Sequence, residues 1–282
     1  MRMKAKICKK VNSKFPLPKH PFNLNNDGVM TYSEWQYSKG IDTIKFYLEF
    51  LSAEEMFKNK IVVDIGCGAA GKTMYYASLG VEKIHGVEIL SKYKVEAEAL
   101  AKKLNLENKF NFVSSDAANL PFEDNSIDTI IMNDAMEHVD EPEKVIKECI
   151  RVLKMGGRLY LNFPPYHHPF GAHLSDAIGI PWVHLFFDDA TLIEVYKDAV
   201  ANLPDGKDRI EFRIAKKANG EEYFSYINGM TLVRFKAILK QLNITPIYYK
   251  EVPLRDITKV LARTPLLKEM FVKMAVCVIE KN

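Results

Sequence analysis

Cysteine is scarce and scattered. Cys8, Cys67, Cys149 and Cys277 form no CxxC pair and no metal-type spacing, which excludes a disulfide framework and a thiolate zinc site and suits the reduced thiols of a cytosolic protein. Long apolar runs are missing too. The longest, from about Ala177 to Phe187, is broken by Pro181 and is too short to cross a bilayer, so no membrane span is expected. Neither sign of charge dominates: 39 basic and 36 acidic residues leave a net charge of +3. With no basic stripe and no aromatic ladder, nucleic acid is not the expected partner. Lys4, Lys6, Lys9, Lys10, Lys14 and Lys19 make the first twenty residues basic, which reads as a solvated tail. No apolar run follows them, so the segment is not a signal peptide and a cytoplasmic location is expected.

What is present is an ordinary globular composition, 48% apolar and 27% charged over 282 residues, built around one stretch. Ile61-Val62-Val63-Asp64-Ile65 runs into Gly66-Cys67-Gly68-Ala69-Ala70-Gly71 and then Lys72-Thr73-Met74. A strand, a G-x-G-x-x-G turn and a helix start present unpaired N–H donors to a nucleotide-like ligand. Glycine serves where the backbone needs positive φ or where a ligand presses close. Glu88 ends the next strand, 83–88, at the spacing expected of a ribose-binding carboxylate. Asp64 discriminates among ligands: a carboxylate at this turn repels a pyrophosphate and attracts an ammonium group.

The chain resembles the class I S-adenosylmethionine-dependent methyltransferases, in the manner of the type 11-like small-molecule enzymes. Val63-Asp64-Ile65-Gly66-Cys67-Gly68 with Glu88 resembles the first two motifs, and Ser115-Asp116-Ala117-Ala118-Asn119-Leu120-Pro121-Phe122 with Ser126-Ile127-Asp128 the third. Glu137-His138-Val139-Asp140-Glu141-Pro142 and Arg151-Val152-Leu153-Lys154-Met155-Gly156-Gly157 resemble the stretch that follows. The resemblance covers about a hundred residues. It implies S-adenosylmethionine as cofactor, with Glu88 on the ribose hydroxyls, Ile89 or Leu90 on the adenine face and Asp116 accepting from the adenine amine. It further places the Ala117 backbone at the ring edge. Gly66, Cys67, Gly68 and Gly71 would form the turn against the methionine moiety, with Asp64 near its ammonium. Asn133 and His138 would be cofactor-adjacent, and an N-terminal helix bearing Tyr32 and Trp35 would fold over the site.

The remaining pattern predicts a doubly wound α/β fold with a mostly parallel seven-stranded sheet and an inserted lid after strand 5. Strands are expected at 61–65, 83–88, 110–114, 127–132, 157–163, 244–250 and 271–279, with helices between. Residues 1 to about 28 read as loosely ordered. Thr31-Tyr32-Ser33-Glu34 has capping-box form, and 41–57 carries a helical stripe. Arg209 to Ile214 alternates with period two, and Asn219-Gly220 signals a hairpin. The expected partition is 1–40 tail and lid helix, 41–163 cofactor core, 164–229 substrate lid and 230–282 completion of the sheet.

Residues 164–189 are rich in aromatics and histidine, and a long loop of that composition reads as a substrate wall. His168 and His173 are its candidate general bases. His167, His168 and His173 with Asp188 and Asp189 follow no ligand-spacing rule, so no metal site is expected. The predicted activity is methyl transfer to an oxygen or nitrogen of a small-molecule acceptor, a direct displacement that needs positioning more than acid–base help. Two alternatives stand beside it: an NAD-dependent oxidoreductase, disfavoured by Asp64 and by the lack of a Tyr-x-x-x-Lys pair, and an inactive S-adenosylmethionine-binding protein. The sequence does not speak to oligomeric state.

Overall fold

A computed structural model describes residues 2–17, 23, 30–265 and 267–282. The chain forms two compact units, each drawn from several segments.

One unit comprises residues 30–163, 232–252 and 274–282. Its strands are β1 (Ile61–Ile65), β2 (Lys83–Glu88), β3 (Phe110–Ser114), β4 (Ile127–Asn133), β5 (Leu153–Phe163), β8 (Tyr248–Pro253) and β9 (Val272–Glu280). They assemble in the order β3-β2-β1-β4-β5-β9-β8. β1 pairs parallel with both β2 and β4, and strand order therefore reverses there, the switch point outside which ligands bind in open α/β sheets. β5 pairs antiparallel with β9. β1 is buried along most of its length, and Val62, Val63, Ile84, Ile130 and Ile131 are fully buried, as strands covered on both faces must be.

The helices that shape the site belong to this unit. α2 (Tyr32–Ser38) starts on a complete capping box: the Thr31 hydroxyl accepts from the Glu34 N–H, and the Glu34 carboxylate accepts from the Thr31 N–H. It packs on α5 (Gly71–Ser78) so closely that a Cβ on Gly71 would lie 2.2 Å from the Ser33 carbonyl oxygen. That contact makes glycine obligatory at 71. The Ser33 hydroxyl donates to Glu96 of α6 (Lys94–Lys103) at 2.7 Å. The stripe at 41–57 does not form one helix. It divides into α3 (Gly40–Ile44) and α4 (Ala53–Phe57), because Ser52 and Glu55 build a second capping box that restarts the chain.

The other unit comprises the described residues of 1–29 together with 164–231 and 253–273. Four expectations are corrected here. First, part of the supposed tail is a helix, α1 (Met3–Asn12). It buries Ala5 and Cys8 in a core with Leu192, Tyr196 and Val200 of α9 (Asp189–Val200). Lys4 and Lys9 pair with Asp188 and Asp198; 13–17 continue as turn and coil, and 18–22 and 24–28 lie outside the described residues. Second, 209–214 is not a strand. Gly206–Arg213 is helical (α10), and only Ile214–Lys216 (β6) pairs with Glu222–Phe224 (β7) across the Asn219-Gly220 turn. Arg209 and Arg213, four residues apart, share the helix's inner face. They bind Asp176 there at 3.2 and 3.1 Å, all three 3% exposed or less. Third, a short helix, α8 (Val183–Phe186), lies within 164–189. Fourth, the expected partition shifts at both ends: 30–40 belongs with the sheet, and 253–273 with the inserted unit.

Candidate functional site

The carboxyl edge of the sheet is where the sequence placed a nucleotide-like ligand. After β1 the chain turns through Gly66 and Gly68, both at positive φ (75° and 52°). A Cβ on Gly66 would crowd the Ala135 methyl at 2.9 Å, whereas one on Gly68 would meet nothing within 4 Å. The space before Gly68 is thus open. Gly66 and Cys67 donate their N–H groups to the Val87 carbonyl, tying the turn to the end of β2. Cys67 is buried behind the turn, its sulfur beside Gly86, and burial raises its thiol pKa well above the ordinary value.

Glu88 stands at this edge with both oxygens engaged, Oε2 accepting from the Gly68 N–H and Oε1 from the Leu90 N–H, each at 3.0 Å. A carboxylate oxygen has capacity for a second donor, so the pair of oxygens is fixed in place and still able to receive two vicinal hydroxyls. Next to it Ile89 stands 65% exposed. Asp116 is exposed, with Oδ1 accepting from the Ala118 N–H at 2.9 Å, and Ala117 beside it is buried. An anchored carboxylate, an apolar side chain left in solvent and a second carboxylate match the ribose, the purine face and the exocyclic amine of an adenosyl group. On donor chemistry and on open space at Gly68, these residues fit the cofactor the sequence implies.

Two expected residues, Asp64 and Asn133, sit deeper, while His138 is exposed. Asp64 does not face open space. It is 4% exposed, and its Oδ2 accepts from the Thr73 hydroxyl in the first turn of α5 at 2.5 Å, because the glycine turn carries α5 back over the strand end. Burial raises its carboxyl pKa to about 7, with the Thr73 hydrogen bond and Lys72 opposing. Asn133 is also buried, inside a polar cluster. Its Oδ1 accepts from Tyr47 (2.6 Å) and from Asn162 (2.7 Å), and its amide donates to Tyr76 (3.0 Å) and to the Thr43 carbonyl (3.2 Å). His138 follows a tight turn, its N–H donating to the Ala135 carbonyl, with Nε2 at 3.9 Å from the buried Glu137. Burial, and then Asp134, raises the Glu137 pKa. Tyr32 and Trp35 lie on α2 with rings stacked at 6.3 Å.

Sequence reading missed the ion pair between Lys72 and Asp134 (2.7 Å), which joins the start of α5 to the end of β4. Asp134 is at positive φ (52°). No local pattern links positions so far apart; only the sheet order does.

In the inserted unit, His168 Nδ1 accepts from the Phe170 N–H at 3.2 Å. Burial, helped by Lys273 and His184, pushes its pKa down to about 4. His173 is at positive φ (53°), and its carbonyl accepts from the Tyr226 hydroxyl at 2.7 Å. His167 pairs with Glu269 at 2.9 Å.

Comparison with known proteins agrees with this geometry. Residues 63–161 match a family model described as a methyltransferase domain. The chain is 38% identical over 109 residues to the chloroplastic tocopherol O-methyltransferase of Arabidopsis thaliana, covering 38% of this chain and 31% of that protein. It is 34% identical over 104 residues to norajmaline N-methyltransferase of Rauvolfia serpentina, covering 37% of this chain and 36% of that protein. The matched stretch thus spans about a third of these relatives' own length. An S-adenosylmethionine-dependent methyltransferase of Methanosarcina mazei superposes with a TM-score of 0.50 at 21% identity, over 84% of this chain and 96% of the other, a likeness of fold. Residues 63–161 of the α/β unit are thus similar to a methyltransferase domain, and the fold is like that of an S-adenosylmethionine-dependent methyltransferase.

Proposed function

We propose that the protein transfers the methyl group of S-adenosylmethionine to an oxygen or nitrogen of a small-molecule acceptor. The observation that carries the reading is the carboxylate of Glu88, clamped between the Gly68 and Leu90 N–H groups beside an exposed Ile89. When bound, the cofactor supplies a methyl on a sulfonium sulfur, and its displacement disperses positive charge rather than creating it. The chain's own task is therefore placement. Glu88 would hold the ribose, Ile89 and Leu90 the adenine face, and Asp116 with the Ala117 backbone the ring edge. Gly66 and Gly68 would leave room for the methionine moiety, while Tyr32 and Trp35 on α2 would cover the site. Asp64 would act through Thr73 and the turn, adding negative charge beneath the ammonium when ionised. Two relatives are named as O- and N-methyltransferases and a third, at 28% identity, as a sterol 4-C-methyltransferase; the more similar pair favours a heteroatom acceptor. His168 and His173 are the proposed proton acceptors. With its pKa pushed down to about 4, His168 is neutral at pH 7, and its one lone-pair nitrogen, Nδ1, must release the Phe170 N–H before it can take a proton.

Thermal unfolding with S-adenosylmethionine, S-adenosylhomocysteine and NAD in parallel tests the reading. A ligand at a hundred times its Kd stabilises the native state by about 2.7 kcal/mol, a rise of roughly 2–4 °C for a chain of this size. The two adenosyl ligands should give that rise and NAD should not; a rise with NAD alone would overturn the proposal. Transfer of labelled methyl to a panel of phenols and amines then tests turnover.

A further inference from the structure

One side of α1 takes no part in its packing. Toward its own unit the helix turns Ala5, Cys8 and Asn12. The first two are fully buried, and the Asn12 side chain donates to the Ala177 carbonyl at 3.1 Å and accepts from the Gly179 N–H at 2.8 Å. The basic residues flanking that face are paired, Arg2 with Glu194 (3.5 Å), Lys4 with Asp188 (3.1 Å) and Lys9 with Asp198 (2.5 Å). The far side differs. Met3, Ile7 and Val11 recur at every fourth position and so form one row along the helix. All three are exposed, Met3 by 74% and Ile7 by 51%. A lysine stands three positions beyond each, Lys6, Lys10 and Lys14, and residues three apart are neighbours on a helix surface. Lys14 lies just past the helix, where its N–H still donates to the Val11 carbonyl at 3.0 Å. These three lysines are exposed, and none pairs with an acidic group among the described residues. Phe15 and Leu17, exposed as well, extend the apolar row.

An apolar row in water gains by being covered, and the lysines beside it gain by meeting negative charge. A surface that answers both is apolar beneath a layer of anions. An anionic bilayer has that layering: a helix lying in its interface sinks the apolar row toward the acyl chains while the lysines reach up to the phosphates. Duplex nucleic acid answers the charge alone and leaves the apolar row wet. We propose that this side of α1 docks the protein on an anionic lipid surface, with Met3, Ile7 and Val11 among the headgroups and Lys6, Lys10 and Lys14 at phosphates. No helix of the described residues is long and apolar enough to cross a membrane, so the contact is peripheral. Because Ala5, Cys8 and Asn12 already hold α1 against its unit, the helix need not fold on contact, which removes an ordering cost. The inference goes beyond the activity proposed above and does not rest on it.

Flotation of the full chain with phosphatidylcholine vesicles, made with and without phosphatidylglycerol, tests the docking. The wild-type chain should float with the anionic vesicles, come off as salt rises and stay behind with neutral ones. One lysine beside an anionic surface is worth about fivefold in partition. Lys6→Gln/Lys10→Gln/Lys14→Gln should therefore weaken binding about a hundredfold. Lys102→Gln/Lys147→Gln/Lys240→Gln removes the same charge from exposed positions of the sheet unit and should change binding by less than about threefold. Ile7→Ser/Val11→Ser keeps the charge and should weaken binding about tenfold. Every substituted side chain is exposed, and circular dichroism with thermal unfolding checks that each variant is folded. Equal binding to neutral and anionic vesicles, or equal losses in the two lysine triples, would overturn the proposal. Absence of binding to either vesicle would overturn it as well: retention on duplex DNA would then give the face to nucleic acid, and no retention would leave it to an acidic protein.

Discussion

The two units bury polarity in opposite ways. In the sheet unit the interior polar cluster is made of neutral groups, Tyr47, Tyr76, Asn133 and Asn162, which satisfy one another across the register pair Asn133–Asn162 at the carboxyl ends of β4 and β5. In the inserted unit the interior holds full charges, Asp176 between Arg209 and Arg213, with the Arg213 guanidinium over the Tyr226 and Tyr196 rings. Neutral networks are cheap to bury and can sit under a binding edge without setting up a field there. A buried ion triad fixes geometry but loses it abruptly when one member goes. The sheet unit keeps its buried carboxylates, Asp64 and Glu137, near the carboxyl ends of β1 and β4. Raised pKa values cluster at functional sites for that reason.

The largest expected effect tests the charged side of this contrast. Asp176→Ala should cost about 3–5 kcal/mol in urea denaturation, the penalty for leaving buried guanidinium groups uncompensated. It should leave S-adenosylhomocysteine affinity within twofold of wild type under native conditions; a larger loss would mean that the two units are not separable in function. Glu88→Ala should weaken S-adenosylhomocysteine by about 1.5–3 kcal/mol, measured by calorimetric titration, and cost about 1–3 kcal/mol of stability for the two lost N–H bonds, while His168→Ala and His173→Ala leave that affinity unchanged. Gly71→Ala should cost about 1–3 kcal/mol, since its new methyl collides with the Ser33 main chain and must push α2 off α5. Melting temperature reads this, and an unchanged value would remove α2 from its place over the turn.

A pH effect sharpens the neutral side. The Asp64 carboxyl is raised to about 7 in the folded chain against about 3.9 unfolded. Between those values the folded state holds the extra proton, so Asp64's contribution to stability falls as pH rises from about 4 to about 7. Asp64→Asn should flatten the dependence of stability on pH over that window, and an unchanged slope would place the charge elsewhere. The smallest effect belongs to Asp116→Ala. It should cost about 0.5–1.5 kcal/mol of stability for the lost Ala118 N–H bond, and only weak loss of cofactor if the adenine amine finds water instead.

Legibility in the sequence followed the same divide. β1, β2 and β3 fell at the residues expected: β1 is an apolar run ended by glycine, β2 ends on an acid, and β3, at the sheet edge, alternates buried and exposed residues at its start. Glu88, half-buried at the end of β2, was picked out by its spacing from the glycines, and Asp116, exposed just beyond β3, by the family resemblance. Asp64 was found by the same spacing, but its depth was not, since nothing local says that Thr73 will turn back upon it. Arg209 and Arg213 misled in the other direction. Reading arginine as solvent-facing leaves Ile210, Phe212 and Ile214 as a period-two pattern, and only the distant Asp176 reveals a helix with charge on its inner side.

The order of the strands also bears on synthesis. β5 is complete at Phe163, but its antiparallel neighbour β9 begins only at Val272, roughly 110 residues later. At 5–20 residues per second, a ribosome takes on the order of 5–20 s to deliver it. Throughout that interval the nascent sheet presents the edge of an apolar strand with its ladder groups unpaired, the kind of template that recruits other chains. Truncation before β9 is therefore expected to yield a product that aggregates rather than a smaller working domain.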